Sequence, residues 1–216
     1  MIFLPENSRI IEGPSGAGKT TTTRLLGEKL SMPVYNSGVI FRAMASMSIM
    51  GSIDDPAELI AFVHEASVRM DLSDPHNPEA EVYGAEVTHL LQDAGTTKRS
   101  VQIAANPASK AYLEQAFDSI VALTKEPIIL EGKALNERYI SHPGYHWYLT
   151  AAFEERARRK WLLGQKKDPD YTYATALQDT IHNDHNDKDK LSVAPNATIL
   201  DTTRLTVREV AATIGQ

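Results

Sequence analysis

Gly13-Pro14-Ser15-Gly16-Ala17-Gly18-Lys19-Thr20 fits the phosphate-binding pattern G-x-x-x-x-G-K-[ST]. Arg9-Ile10-Ile11-Glu12 before it suits a short buried strand, and Thr20–Leu30 after it suits a helix. That strand–loop–helix context separates a P-loop from a chance match. The glycines let backbone N–H groups curl around phosphates, and the helix N-terminus beyond them favours negative charge. The residues expected to hold the donor phosphates of ATP are Gly13, Ser15, Gly16, Ala17, Gly18, Lys19, Thr20 and Thr21. Lys19 can bridge the β- and γ-phosphates, and Thr20 can hold Mg²⁺.

Outward from the loop, strand and helix patterns alternate. Strands are expected at Pro33–Tyr35, Pro127–Glu131, His146–Leu149 and Thr198–Asp201. Helices are expected at Val39–Met50, Ala57–Val68, Ser100–Ala105, Pro107–Thr124, Glu154–Gln165, Tyr171–His182 and Val207–Ile214, with a polar charge run over 183–190. The stretch 68–87, with its Asp74-Pro75-His76-Asn77-Pro78 turn cluster, suggests a small β insertion. Such repeated units imply an α/β fold: a parallel β-sheet covered by helices on both faces. With 216 residues, 42% of them hydrophobic, the chain suits one domain over 1–216. Its net charge of −6 argues against a chain-wide basic surface for nucleic acid, though not against a local patch. Cysteine is absent, which rules out disulfides and thiolate chemistry. The N-terminus does not read as a signal peptide, and no apolar run approaches the roughly 20 residues that span a bilayer. A cytoplasmic protein without membrane partners is the expectation.

Glu131, at a strand end, is a candidate Mg²⁺ neighbour and catalytic carboxylate; a solvent-facing glutamate is the plain alternative, and Glu12 carries the same ambiguity. Ser37 and Arg42 set a hydroxyl at a helix start and a guanidinium about a turn later, both able to reach an acceptor phosphate. An N-cap serine and a surface arginine would look the same. His182 and His185 read as part of a solvated charge run rather than a metal site. Met44, Met47 and Met50 read as packing, as do Trp147 and Trp161.

Several stretches, in order, resemble the bacterial cytidylate kinases of the P-loop nucleoside-monophosphate kinase superfamily: Glu12–Lys19, Ser37–Ala43, Val101–Ala105, Ala152–Arg159, Val193–Pro195 and Leu200–Thr203. The resemblance implies a P-loop kinase fold with an acceptor-binding insert over 51–101 and a lid over 166–190. It implies acceptor-phosphate contacts at Ser37 and Arg42, further acceptor contacts at Lys110 and Lys133, and a donor-nucleotide role for Arg158. The departures are specific. The family's Asp-Gly-Arg-Asp is Glu131-Gly132-Lys133-Ala134, its aspartate before the Ser-Gly is Asn36, and a cytosine-contacting serine is Val101. In the lid, two arginines become Asp184 and Leu191, and a base-reading aspartate becomes Lys188.

The expected activity is ATP- and Mg²⁺-dependent phosphoryl transfer to a nucleotide or nucleotide-like acceptor other than plain CMP, with Lys19, Arg42 and Glu131 at its centre. One rival is a kinase acting on a hydroxyl, such as a hydroxymethyl-pyrimidine in phage DNA or a small metabolite, with Glu131 or Glu12 as base. A DNA acceptor would draw on Lys98, Arg99, Arg156, Arg159, Lys160, Lys166 and Lys167. The other rival is a nucleotide-binding regulatory domain without transfer.

Overall fold

Strand β2, Arg9–Glu12, is buried at all four positions, as a strand sandwiched between layers must be. It lies between β7 (Ile129–Glu131) and β9 (His146–Thr150), and β9 pairs in turn with β10 (Thr198–Asp201). All three pairings are parallel, with Ile11 opposite Glu131, Glu12 opposite Tyr148 and Asp201 opposite Thr150. The register brings Glu12, Glu131, Thr150 and Asp201 to the carboxyl edge of one sheet, where open α/β sheets bind ligands. The computed structural model describes residues 1–65, 68–71, 79–82, 85–86, 91, 94–166, 168–188 and 192–216.

The chain forms two compact units, one of 1–32 with 127–216 and the other of 33–126. In the first, the sheet is flanked by helices: α1 (Lys19–Leu30) packs on α8 (Val207–Ile214) and reaches β7, while α6 (Phe153–Gly164) packs on α7 (Tyr173–Asp187). Ile10, Ile11, Leu26, Ile128, Ile129, Leu130, Leu149 and Ile214 are fully buried and form its core. The side chain of Arg9 passes under this core and donates to the Ile214 carbonyl at the end of α8 (3.2 Å), a favourable cation at a helix C-terminus. A short parallel pair, β1 (Ile2–Phe3) with β8 (Tyr139–Ile140), completes the unit.

Among the described residues the second unit holds β3 (Val34–Asn36) and the helices α2 (Ser37–Gly51), α3 (Pro56–Glu65), α4 (Ala94–Ala105) and α5 (Pro107–Leu123). Arg99 of α4 donates to the Ser48 hydroxyl of α2 (2.8 Å) and to the Ile53 carbonyl (3.1 Å). A three-stranded antiparallel sheet of β4 (Val68–Asp71), β5 (Glu79–Val82) and β6 (Ala85–Glu86) occupies the stretch expected to be a β insertion. Met44 and Met47 are buried, whereas Met50 is exposed at the end of α2.

The break between α4 and α5 falls at Asn106-Pro107, as expected: Asn106 caps α5 by accepting from the Ser109 N–H (3.0 Å). Other boundaries differ. Helix α3 ends at Glu65 and Val68 opens a strand; α4 starts six residues before Ser100. The stretch read as a charge run after His182 is helical through Asp187, because Ala176, Thr180 and Asp187 recur on one buried face that polarity alone conceals. The turn cluster at 74–78, Tyr83-Gly84, Lys167 and positions 189–191 lie outside the described residues.

Gly13 shows how tightly the loop is fitted. Its φ is +137°, and a Cβ there would lie 2.0 Å from the Leu149 carbonyl oxygen. Gly13→Ala therefore adds backbone strain to a steric clash with backbone, and urea denaturation is expected to show a loss of at least about 2 kcal/mol.

Candidate functional site

The loop between β2 and α1 needs its left-handed positions: Gly16 and Gly18 have φ of +84° and +92°. They turn the chain so that α1 begins at Lys19 with its first N–H groups facing the loop. The Lys19 side chain folds back into the loop and donates to the carbonyls of Gly13 (2.7 Å) and Pro14 (3.0 Å). Burial pulls the Lys19 ammonium down to about 8; the charge of Glu131 opposes this most, the Lys133 cation adds to the lowering, and Asp187 and Glu12 oppose it by less.

Thr20 is exposed at the loop mouth, and its hydroxyl donates to Glu131 Oε1 (2.6 Å). Thr23, one helical turn on, donates to Glu131 Oε2 (3.0 Å). Glu131 is buried and does not face solvent. A threonine oxygen and a carboxylate oxygen side by side form a hard donor pair that suits Mg²⁺. Among the described residues no group of three or more His, Asp or Glu side chains could hold a metal by itself.

Glu12 is committed elsewhere. Its Oε1 accepts the Leu135 N–H (2.6 Å) and its Oε2 meets His146 Nε2 (2.7 Å), with both side chains almost fully buried. His146 carries no motif, and only its register beside Ile10 on β9 places it there.

The helix that follows β9 sorts its cations by face. Arg156 and Arg159 turn inward. Arg159 donates to the Thr202 carbonyl (2.6 Å), the Thr202 hydroxyl (3.0 Å) and the Gly16 carbonyl (3.4 Å). Arg156 donates to the Ser15 carbonyl (3.3 Å) and forms a two-pronged pair with Asp184 of α7, both contacts at 2.7 Å. Arg158, the position singled out by resemblance, lies on the exposed face and pairs with Glu155. It lines an open pocket of about 580 Å³ together with Trp161, Tyr173 and Thr203. Trp161 meets Tyr173 edge-on at 5.9 Å. In the sequence Arg156 and Arg159 belong to the resembling stretch Ala152–Arg159 and to the basic set, with no role of their own; the signal for an inward face is their i, i+3 spacing with the apolar Ala157 between them.

Lys133 follows β7, in the same unit as the P-loop, and pairs with Asp187, the last residue of α7. The other expected acceptor residues belong to the second unit. Asn36, not Ser37, caps α2: its side chain accepts from the Gly38 N–H (2.8 Å), which leaves the partly buried Ser37 hydroxyl out of the capping bond. The Arg42 guanidinium folds back beside Gly38 at the start of the same helix. Lys110 is exposed on α5 and pairs with Glu114 at 3.5 Å. Val101 is exposed on α4, and Ala134 adopts a left-handed conformation with φ of +54°. His182 is exposed on α7 and bonds to Asn186 (2.8 Å).

A loop of this build at the carboxyl edge of a parallel sheet defines a P-loop nucleotide-binding fold. Comparison with known proteins narrows it. The family described as Cytidylate kinase matches residues 10–216, and the chain belongs to that family of ATP-dependent phosphotransferases. A cytidylate kinase of Thermus thermophilus is 26% identical over 204 residues, spanning 94% of this chain and 93% of that protein. One of Pseudomonas aeruginosa is 29% identical over 213 residues, spanning 94% and 91%. A bifunctional pantoate ligase/cytidylate kinase of Thermosynechococcus vestitus is 29% identical over 185 residues, spanning 83% of this chain and 36% of that protein. Among the described residues no helix is long and apolar enough to cross a membrane.

The lowered Lys19 value gives a pH signature. In the free protein Lys19 loses its proton as pH rises through about 8. Phosphate oxygens beside it favour the charged form and raise that value, so ATP binding above this pH draws a proton from solution. Calorimetry at pH 8.5 in buffers of different ionisation enthalpy is expected to register a substantial fraction of a proton taken up. The uptake should shrink towards pH 7 and vanish at pH 8.5 in Lys19→Met.

Proposed function

We propose that this chain transfers the γ-phosphoryl group of ATP to a nucleotide or nucleotide-like acceptor other than plain CMP. In this reading Lys19 exchanges the Gly13 and Pro14 carbonyls for donor phosphate oxygens, and the loop amides from Gly13 to Thr21 complete the cradle. Thr20 and Glu131 are the residues that would hold Mg²⁺, whose contribution when bound is to neutralise charge on the phosphates. Ser37, Arg42, Lys110 and Lys133 orient the acceptor, and Arg158 serves the donor nucleotide. Transfer to a phosphate needs orientation and charge balance more than a base, because the acceptor oxygen is already ionised.

The observation that carries the choice of acceptor is the two-pronged Asp184–Arg156 pair. Where the resembling family has a lid arginine, this lid has an acid, and that acid occupies a cation beside the P-loop. A lid with reversed charge is not built to meet plain CMP as that family does. A phosphate acceptor is favoured over an alcohol because both candidate bases are occupied: Glu131 by Thr20 and Thr23, Glu12 by His146 and Leu135.

The test is a steady-state screen of nucleoside monophosphates, modified nucleosides and hydroxymethylated DNA with labelled ATP. CMP is expected to fall below the ordinary range of about 10⁴–10⁸ M⁻¹s⁻¹ while another nucleotide falls within it. A CMP efficiency inside that range overturns the reading, and transfer to hydroxymethylated DNA alone establishes the hydroxyl reading instead. With the best acceptor, Lys19→Ala should abolish transfer without unfolding the protein. Arg42→Ala should lower acceptor efficiency by roughly ten- to a hundredfold with little change in ATP binding, the loss of one charge-assisted contact.

A further inference from the structure

Helix α7 places Asp184 and Asp187 three residues apart, on one face. Each carboxylate meets a cation from a different part of the P-loop unit: Asp184 takes Arg156, from the helix after β9, and Asp187 takes Lys133, from the segment after β7. Three features set these pairs apart from ordinary surface ion pairs. Arg156 and Asp187 are nearly buried, their side chains 9% and 8% exposed. The Arg156–Asp184 contact uses both guanidinium nitrogens against both carboxylate oxygens at 2.7 Å, the fork geometry in which arginine also takes phosphate. The same Arg156 donates to Ser15 of the glycine loop, and its Cβ lies where a Cβ on Gly16 would clash. The two lid acids therefore neutralise cations at the rim of an anion-binding loop.

We infer that Asp184 and Asp187 form an electrostatic latch in which the lid carboxylates stand in for nucleotide phosphate oxygens on Arg156 and Lys133, and the polyphosphate of the donor must displace them to bind. The charge of Lys133 reaches Lys19, so in this reading Lys133 meets the donor's terminal phosphate as well as the acceptor. The inference rests on the reading of Gly13–Thr20 as the donor-phosphate site. Its physical content is competition for the same donors. While the latch is closed, two of the cations nearest the loop are spent on the protein's own acids. Lys19, which feels the charges of both Lys133 and Asp187, remains as the cation within the loop. Anion binding frees the C-terminal turn of α7, and by linkage anything that frees that turn strengthens anion binding. The latch thus couples occupancy of the glycine loop to the position of the lid helix.

The sign of the effect is what tests it. Removing a group that merely supports structure weakens ligand binding or leaves it unchanged, whereas removing a competitor tightens it. If the latch is closed in about nine molecules in ten, apparent affinity is about tenfold below that of the open form. Asp184→Asn and Asp187→Asn keep side-chain size and remove charge. Each is expected to lower the Kd for ATP, and for inorganic tripolyphosphate, by about three- to tenfold in calorimetry. Amide exchange in the last turn of α7 should be faster in both variants without ligand, and ATP should speed it in the wild type only. Asp184 is one-third exposed, so Asp184→Asn carries the test even if the buried Asp187 tolerates no change. Asp179→Asn, on the same helix but bonded to Tyr171 instead, is the control and should not tighten binding.

Unchanged or weaker ATP binding in Asp184→Asn, with wild-type ATP binding intact, overturns the latch and leaves the donor site standing. Absence of ATP and tripolyphosphate binding in the wild type overturns the donor-site reading and the latch with it.

Discussion

Lys19 carries its ammonium into a position that water barely reaches, at the carboxyl edge of the parallel sheet. Burying an unpaired charge costs on the order of several kcal/mol, so the surroundings must supply partners. Two come from the loop itself, the carbonyls of Gly13 and Pro14. The rest is longer-range attraction from Glu131, Asp187 and Glu12, held by the sheet edge or the end of α7. The glycine loop can take its tight course only because Gly13 passes against the Leu149 carbonyl of β9. The loop, the neighbouring strand and the acids around the lysine thus form one mutually dependent arrangement.

Each of those acids is in turn restrained by partners from elsewhere in the unit. Thr20 and Thr23 sit one turn apart on α1 and hold both oxygens of Glu131, fixing the carboxylate relative to the helix that carries Lys19. His146 and the Leu135 amide do the same for Glu12, which ties the start of the loop to β9 and to the turn after β7. Buried polar networks of this kind are stable only when every member is satisfied, and here the carboxylates are. Alternation between acid and cation continues outward through Lys133–Asp187 and Arg156–Asp184, so the rim of the loop is close to neutral before any nucleotide arrives. A donor bringing several negative charges then has to reorganise that rim, which gives α7 a physical reason to respond to it.

The glycine loop, the strand before it and the helix after it were legible in the chain because local geometry dictates them: a run of glycines between an apolar tetrad and a helical pattern has few other structures available. The Asn106-Pro107 break and the strand carrying Glu131 were equally local. So were the departures from the resembling family at Lys133 and Asp184, which are single-letter facts. What stayed hidden depended on which residues meet at long range. His146 bears no signature, and register alone brings it to Glu12, 134 positions away. Arg156 and Arg158 are two letters apart in a basic helix, and only the packing of α6 decides that one faces the loop and the other solvent. The end of α7 was masked because its buried face is made of Thr180 and Asp187, residues that read as polar until their partners are known. Sequence by itself thus determined the phosphate-binding loop and the α/β frame, since backbone conformation and periodicity are written in neighbouring residues. Tertiary structure alone decided which charges are paired, because the pairing energy of a buried ion depends on partners that chain separation does not encode.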